Sequence, residues 1–111
     1  MSKRKTEFLI QDILEAIIKI ESFVKGYSQE QFGSDDKTAD AVIRNLEIIG
    51  EAANRISPEE RSKYNNVEWN KIIGLRHRIV HDYFGIDLEI IWSIVKNDIP
   101  YLKSILTQYN S

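Results

Sequence analysis

Apolar residues recur along this chain at intervals of three and four, and the strict alternation that marks a strand never persists over several residues. From Thr6 to about Lys25, Ile10, Ile13, Leu14, Ile17 and Val24 follow the helical period, and Leu9, Ile20 and Phe23 widen the stripe. Gly26 supplies a stop. Tyr27 to Asp36 reads as loop with a short turn around Phe32. Asp35 or Asp36 then caps a second helix that runs to about Ile56, with Ala39, Val42, Ile43, Leu46, Ile49, Ala53 and Ile56 on its apolar face. Ser57-Pro58-Glu59-Glu60 is a helix-start signature: serine caps, proline takes the first helical position and Glu60 can close a capping box. That helix is short and ends near Tyr64, where Asn65-Asn66 breaks the chain. A further helix spans about Val67 to Tyr83, with Gly85 as its terminator. Asp87 caps the last helix, whose core face carries Leu88, Ile91, Trp92 and Val95 and continues through Leu102, Ile105, Leu106 and Tyr109. Pro100 lacks a backbone donor and predicts a kink near Ile99. Four main helices with short connections predict an all-α, up-and-down four-helix bundle with one short extra helix and a kinked last helix, a single domain over residues 1–111.

The helix from Val67 to Tyr83 departs from simple amphipathicity. At roughly 100° per residue, Trp69, Ile72, Ile73, Ile79, Val80 and Phe84 share one broad arc. Arg76 and Tyr83, seven residues apart, fall inside that arc. His77 and His81 lie together at its edge, while Lys71, Arg78 and Asp82 lie opposite. A guanidinium on an apolar face needs a partner, because an unpaired buried charge is costly. One solution is intramolecular. Arg44, Glu47, Glu51 and Arg55 form a polar stripe on the second helix; Glu51 and Arg55 suit an i,i+4 pair, and Glu47 could reach Arg76. The other solution is an anionic ligand such as phosphate, which the planar fork of Arg76 matches.

Composition narrows the chemistry. The 111 residues carry a net charge of −2, so affinity for nucleic acid must come from a local cluster. There is no cysteine, which excludes disulfides, thiolate zinc sites and a cysteine nucleophile. No apolar run approaches the roughly 20 residues of a membrane span. The basic start, Met1 to Lys5, is followed by Glu7, Gln11 and Asp12 and is not a secretory signal, so a cytoplasmic protein is expected. His77 and His81 at i,i+4 do not read as a metal site: position 78 is Arg, not the Glu of HExxH, and no third ligand accompanies them. Both histidines of the chain within one turn, beside two arginines, instead suggest acid–base chemistry, since imidazole titrates near neutrality (~6.5). Taken alone, Tyr83 reads as an amphipathic ring at a helix end, and Trp69 and Trp92 as core or interface anchors. Gly50 in a helix interior suggests close helix contact.

Arg76-x4-His81-x-Tyr83 resembles the RX4HXY signature of HepT-like toxins of the HEPN superfamily. Asn45-Leu46-Glu47-Ile48-Ile49-Gly50-Glu51-Ala52-Ala53, Trp69, Gly74-Leu75-Arg76, Tyr83-Phe84-Gly85-Ile86-Asp87, Trp92 and Asp98-Ile99-Pro100 extend the resemblance over roughly residues 6 to 106. His77 stands where many HEPN proteins carry Asn or Asp. The resemblance implies a HEPN-like fold, a homodimer with a composite site, and the toxin role of a type II toxin–antitoxin system. It implies a metal-independent endoribonuclease that needs no cofactor and acts on RNA (transfer RNA or mRNA) by attack of the 2′-hydroxyl. Arg76 and His81 would be catalytic, His77 and Tyr83 supporting, and Arg78 a contact to RNA phosphate. A minimal nucleotidyltransferase antitoxin would add AMP to Tyr83. The alternatives are an inactive helical module that docks a nucleotidyltransferase, with Arg76 salt-bridged to Glu47 or Glu51, and a plain helical dimerisation domain.

Overall fold

The computed structural model describes residues 5–81 and 87–109, with side chains for 5–75 and 87–108. The first helix, α1 (Thr6–Val24), buries Leu9, Ile10, Ile13, Ala16, Ile17, Ile20 and Val24. Gly26 follows at φ +78, a left-handed conformation that ends the helix as its position predicts. Phe23 does not widen the core. It lies on the outer edge of the stripe, one turn after exposed Lys19, and is 38% exposed; Leu14 is half-buried.

The turn expected around Phe32 is a helix of its own, α2 (Gln29–Gly33). A complete capping box builds it: the Gln31 N–H donates to Ser28 Oγ (3.1 Å) and the Ser28 N–H donates to Gln31 Oε1 (2.8 Å). Phe32 is thereby driven fully into the core, its ring 5.2 Å from that of Trp92.

Asp35 caps α3 (Asp36–Arg55) by accepting from the Thr38 N–H at 3.1 Å. Its other oxygen accepts from Tyr27 Oη (2.5 Å) and Thr38 Oγ1 (2.7 Å). The Tyr27 hydroxyl first, then Thr38, stabilise the charged form and hold this carboxyl down to about 2. Every residue expected on the apolar face of α3, from Ala39 to Ile56, is buried. Asn45, Gly50 and Ala52 join them, and Asn45 Nδ2 donates to the Ala41 carbonyl at 2.9 Å, which satisfies a polar group taken out of water.

Ser57 caps α4 (Pro58–Arg61), accepting from the Glu60 N–H, while the Glu60 carboxylate pairs with Lys63 at 3.2 Å. A 3₁₀ turn (Ser62–Tyr64) leads to α5 (Trp69–His81). Asp87 caps α6 (Leu88–Ser93) through the Glu89 N–H at 2.9 Å. Where Pro100 predicts a kink, α6 passes through a π-helical turn (Ile94–Asp98) into α7 (Ile99–Tyr109). The ladder widens there, with Ile99 N–H donating to the Ile94 carbonyl, so the missing donor of Pro100 is absorbed without ending the helix.

The result is an all-α, HEPN-like bundle in the up-and-down sense. Helix α3 packs against α1 and against α5, and α7 returns onto α1, with the Lys103–Glu21 pair (2.8 Å) between them. The buried side chains of α1, α3, α5, α6 and α7 form one continuous core. Among the described residues there is no strand, and no helix is long and apolar enough to cross a membrane.

Candidate active site on the fifth helix

The helix carrying the candidate catalytic residues is anchored at its N-terminal end. Trp69 is buried, and its Nε1–H points at two carbonyls, those of Arg61 (3.0 Å) and Tyr64 (3.1 Å), at the end of the preceding turn. The Tyr64 ring meets the indole edge-on at 6.3 Å. Arg61 is itself held, Nε donating to the Ile56 carbonyl at 2.8 Å. The chain of contacts therefore runs from the end of α3 through α4 to the first turn of α5. On the outer side, Lys71 bridges Asp98 of the π-helical turn at 3.3 Å and lies 3.8 Å from Glu68.

The buried face of α5 holds Trp69 and Ile72 as expected and adds Leu75. Trp69 (9% exposed), Ile72 (5%) and Leu75 (0%) face the core, while Ile73 is half-buried. Leu75 lies roughly 60° beyond Ile72, on the side away from Ile73. A helical wheel weighs all apolar positions alike and cannot say which of them a neighbouring helix covers. Here α3 packs against α5, Leu75 is fully buried and Ile73 is only partly covered. Gly74 is half-exposed, and a Cβ built there would meet nothing within 4 Å. A glycine in a helix interior costs about 1 kcal/mol against alanine, and no packing contact among the described residues explains its use here. Residues 74, 77 and 81 follow at intervals of three and four along α5 and share a backbone face.

Arg76, His77, Arg78 and His81 all lie within α5. Their side chains fall outside the described residues, and with them the expected pairing of Arg76 with Glu47 or Glu51. Tyr83, Phe84 and Gly85 lie outside the described residues altogether. Glu51 pairs with Arg55 at 3.5 Å, as their spacing predicts. Glu47 is half-buried and lines a cavity of about 450 Å³ between α1 and α3, beside Asp12, Glu15 and Lys19. Sequence reasoning missed Leu75, which it absorbed into the Gly-Leu-Arg motif, and the Lys71–Asp98 bridge. That bridge joins residues 27 apart and carries no local signal.

Comparison with known proteins places this arrangement. Residues 13–109, from α1 to the end of α7, match the family described as "Ribonuclease HepT-like". The chain belongs to the HepT-like ribonuclease family. It is 43% identical over 103 residues to "Putative RNase MJ1380" of Methanocaldococcus jannaschii, covering 93% of this chain and 94% of that protein. It is 42% identical over 101 residues to "Probable ribonuclease HepT" of Thermococcus cleftensis, covering 91% and 92%. A third relative, "Putative RNase TTE0752" of Caldanaerobacter subterraneus, is 42% identical over 80 residues, covering 72% and 71%. No solved structure matches the chain. The HepT-like match takes in α5 whole, along with the anchor at Trp69 and the helix that follows Asp87.

Proposed function

We propose that this HepT-like chain is the ribonuclease toxin of a toxin–antitoxin pair, a single-domain cytoplasmic protein that cuts RNA without a metal ion. The observation that carries the reading is the likeness to RNase-named proteins over more than nine-tenths of the chain, in a segment that contains Arg76, His77 and His81 on one helix. The open space beside Gly74 supports it, because a substrate strand or a second subunit needs backbone it can approach.

In the proposed reaction the ribose 2′-oxygen attacks the adjacent phosphorus. The 2′-O–P bond forms, the P–O5′ bond breaks, and the products carry a 2′,3′-cyclic phosphate and a 5′-hydroxyl. A base takes the 2′-hydroxyl proton and an acid returns one to the leaving 5′-oxygen. His81 does this acid–base work, with its counterpart in a second copy of the chain as the other partner across a two-fold groove. Arg76 holds the charge that builds on the non-bridging oxygens. His77 orients the imidazole or the phosphate, and Arg78 meets flanking phosphate. Tyr83 is the acceptor of AMP from a nucleotidyltransferase antitoxin: its hydroxyl attacks the α-phosphorus of ATP and pyrophosphate leaves. The adduct then fills the phosphate site by bulk and charge.

The test is cleavage of total and transfer RNA by the purified protein in EDTA, with end-group analysis of the products. Wild type yields cyclic phosphate ends, and His81→Ala yields none while its helicity and assembly state persist. Cleavage by His81→Ala at the wild-type rate overturns the assignment. Intact mass after incubation with the partner and ATP reports the modification; a gain retained in Tyr83→Phe removes Tyr83 as acceptor.

A further inference from the structure

Two concavities on the bundle differ in charge. The cavity between α1 and α3 sets Asp12, Glu15, Glu47 and Glu51 against Lys19, Arg44 and Arg55, an acidic balance. The other, about 720 Å³, lies where Lys5 and the start of α1 meet the end of α3 and the Ser57–Tyr64 segment. Lys5, Arg55, Arg61 and Lys63 line it against Glu7 and Glu60, a basic balance in a protein of net charge −2. These cations come from two separate stretches of sequence, Lys5 at the head of α1 and Arg55, Arg61 and Lys63 about fifty residues later, and the fold brings them to one shelf.

The geometry points to this shelf as a second RNA-binding surface, one that holds single-stranded RNA flanking the scissile bond by its phosphates. The inference rests on the ribonuclease reading above. Charge complementarity selects the occupant, since a phosphate chain is the partner for four cations around a broad, open concavity. The cations are also available. Arg55 and Lys63 have side chains 62% and 67% exposed, and their pairs with Glu51 and Glu60 are surface pairs of little strength, which a phosphate can replace. Arg61 is half-buried and pre-oriented by its bond to the Ile56 carbonyl, so it loses little freedom on meeting a phosphate.

The position suits a substrate that runs along α5. Trp69, at the head of α5, is bonded to the carbonyls of Arg61 and Tyr64, and both of those residues line the shelf. His81 lies twelve residues further along, about 18 Å at ~1.5 Å per residue. Roughly five stacked nucleotides at ~3.4 Å each span that distance. The shelf therefore acts on long substrates and leaves a dinucleotide untouched.

The experiment compares the full chain with its Lys5→Ala/Arg55→Ala/Lys63→Ala variant, after circular dichroism has shown equal helicity. Arg61 is left in place because its side chain braces the backbone. Anisotropy of a fluorescein-labelled 14-nucleotide single-stranded RNA, measured in the His81→Ala background to prevent cutting, should weaken about tenfold at low salt. The slope of log affinity against log salt should fall by about 2, at ~0.7 for each phosphate no longer neutralised. In proteins that keep His81, KM for the 14-mer should rise in the same proportion, while kcat/KM for a dinucleotide stays as in wild type. Unchanged affinity and salt slope in the triple variant overturn the shelf, even if cleavage is robust. Failure of the wild-type protein to bind the 14-mer overturns it as well. Binding that depends on the three cations without any cleavage upholds the shelf as an RNA-binding surface only, and refutes the ribonuclease reading.

Discussion

The α1–α3 seam and α5 are both amphipathic packings, but their polar residues serve different ends. Along the seam, isoleucine and leucine interdigitate on the inside. Several polar groups beside it are engaged within the chain: Asp35 with Tyr27 and Thr38, Asn45 with the Ala41 carbonyl, Arg55 with Glu51. Helix α5 is anchored at its first turns by such bonds, at Trp69 and Lys71, and its candidate chemistry sits in the later turns, past a glycine with open space beside it. A region that satisfies itself builds stability. A helix with open space beside its backbone at Gly74 is suited to meet something else.

This contrast can be broken by substitutions that separate folding from chemistry. The largest effect belongs to His81→Ala, which should abolish RNA cleavage and leave the thermal midpoint where it is; a large fall in that midpoint would mean that α5 is a structural helix like α3. Next comes Leu46→Ala in the seam, which empties a fully buried site and should cost about 2–5 kcal/mol in urea unfolding. Its folded fraction should still cut RNA at the wild-type rate per molecule. Trp69→Phe keeps the ring but removes the donor to two carbonyls, and should cost about 1 kcal/mol. Because this bond sets where α5 starts, kcat should fall by more than the loss of folded protein explains.

The smallest effect sharpens the seam itself. Asp35 is held at about 2 against its ordinary 3.8, chiefly by the Tyr27 hydroxyl. A carboxyl depressed in the folded state contributes stability above pH ~4 and loses it as pH falls through 2. Wild type should therefore lose stability between pH 4 and 2 relative to Asp35→Asn, whose own profile should be flatter there. Unfolding midpoints at pH 7, 4 and 2.5 measure the difference, and parallel profiles would remove Asp35 as its source.

Much of the fold was legible in local pattern. The caps at Asp35, Ser57 and Asp87, the stop at Gly26 and the disturbance at Pro100 all act within a few residues, so residue type and spacing express them directly. The α2 helix was less legible because its five residues are too few to show a period; its sign was the Ser28–Gln31 capping box. The burial of Leu75 and the exposure of Phe23 could not be read at all, since both depend on where a neighbouring helix lies. For the candidate site, type and spacing singled out Arg76, His77, His81 and Tyr83, and the fold adds the anchor at Trp69 and the open backbone at Gly74.

The amino-acid order by itself determined the all-α class, the helix limits to within a few residues, and the gathering of both histidines beside two arginines in one turn. These are one-dimensional properties, set by interactions that close within four residues. The tertiary structure alone decided which side of α5 meets the core and that Lys5, Arg55, Arg61 and Lys63 share one concavity. Such outcomes depend on how distant segments cross, and burial is settled by the neighbour that arrives rather than by the residue that waits.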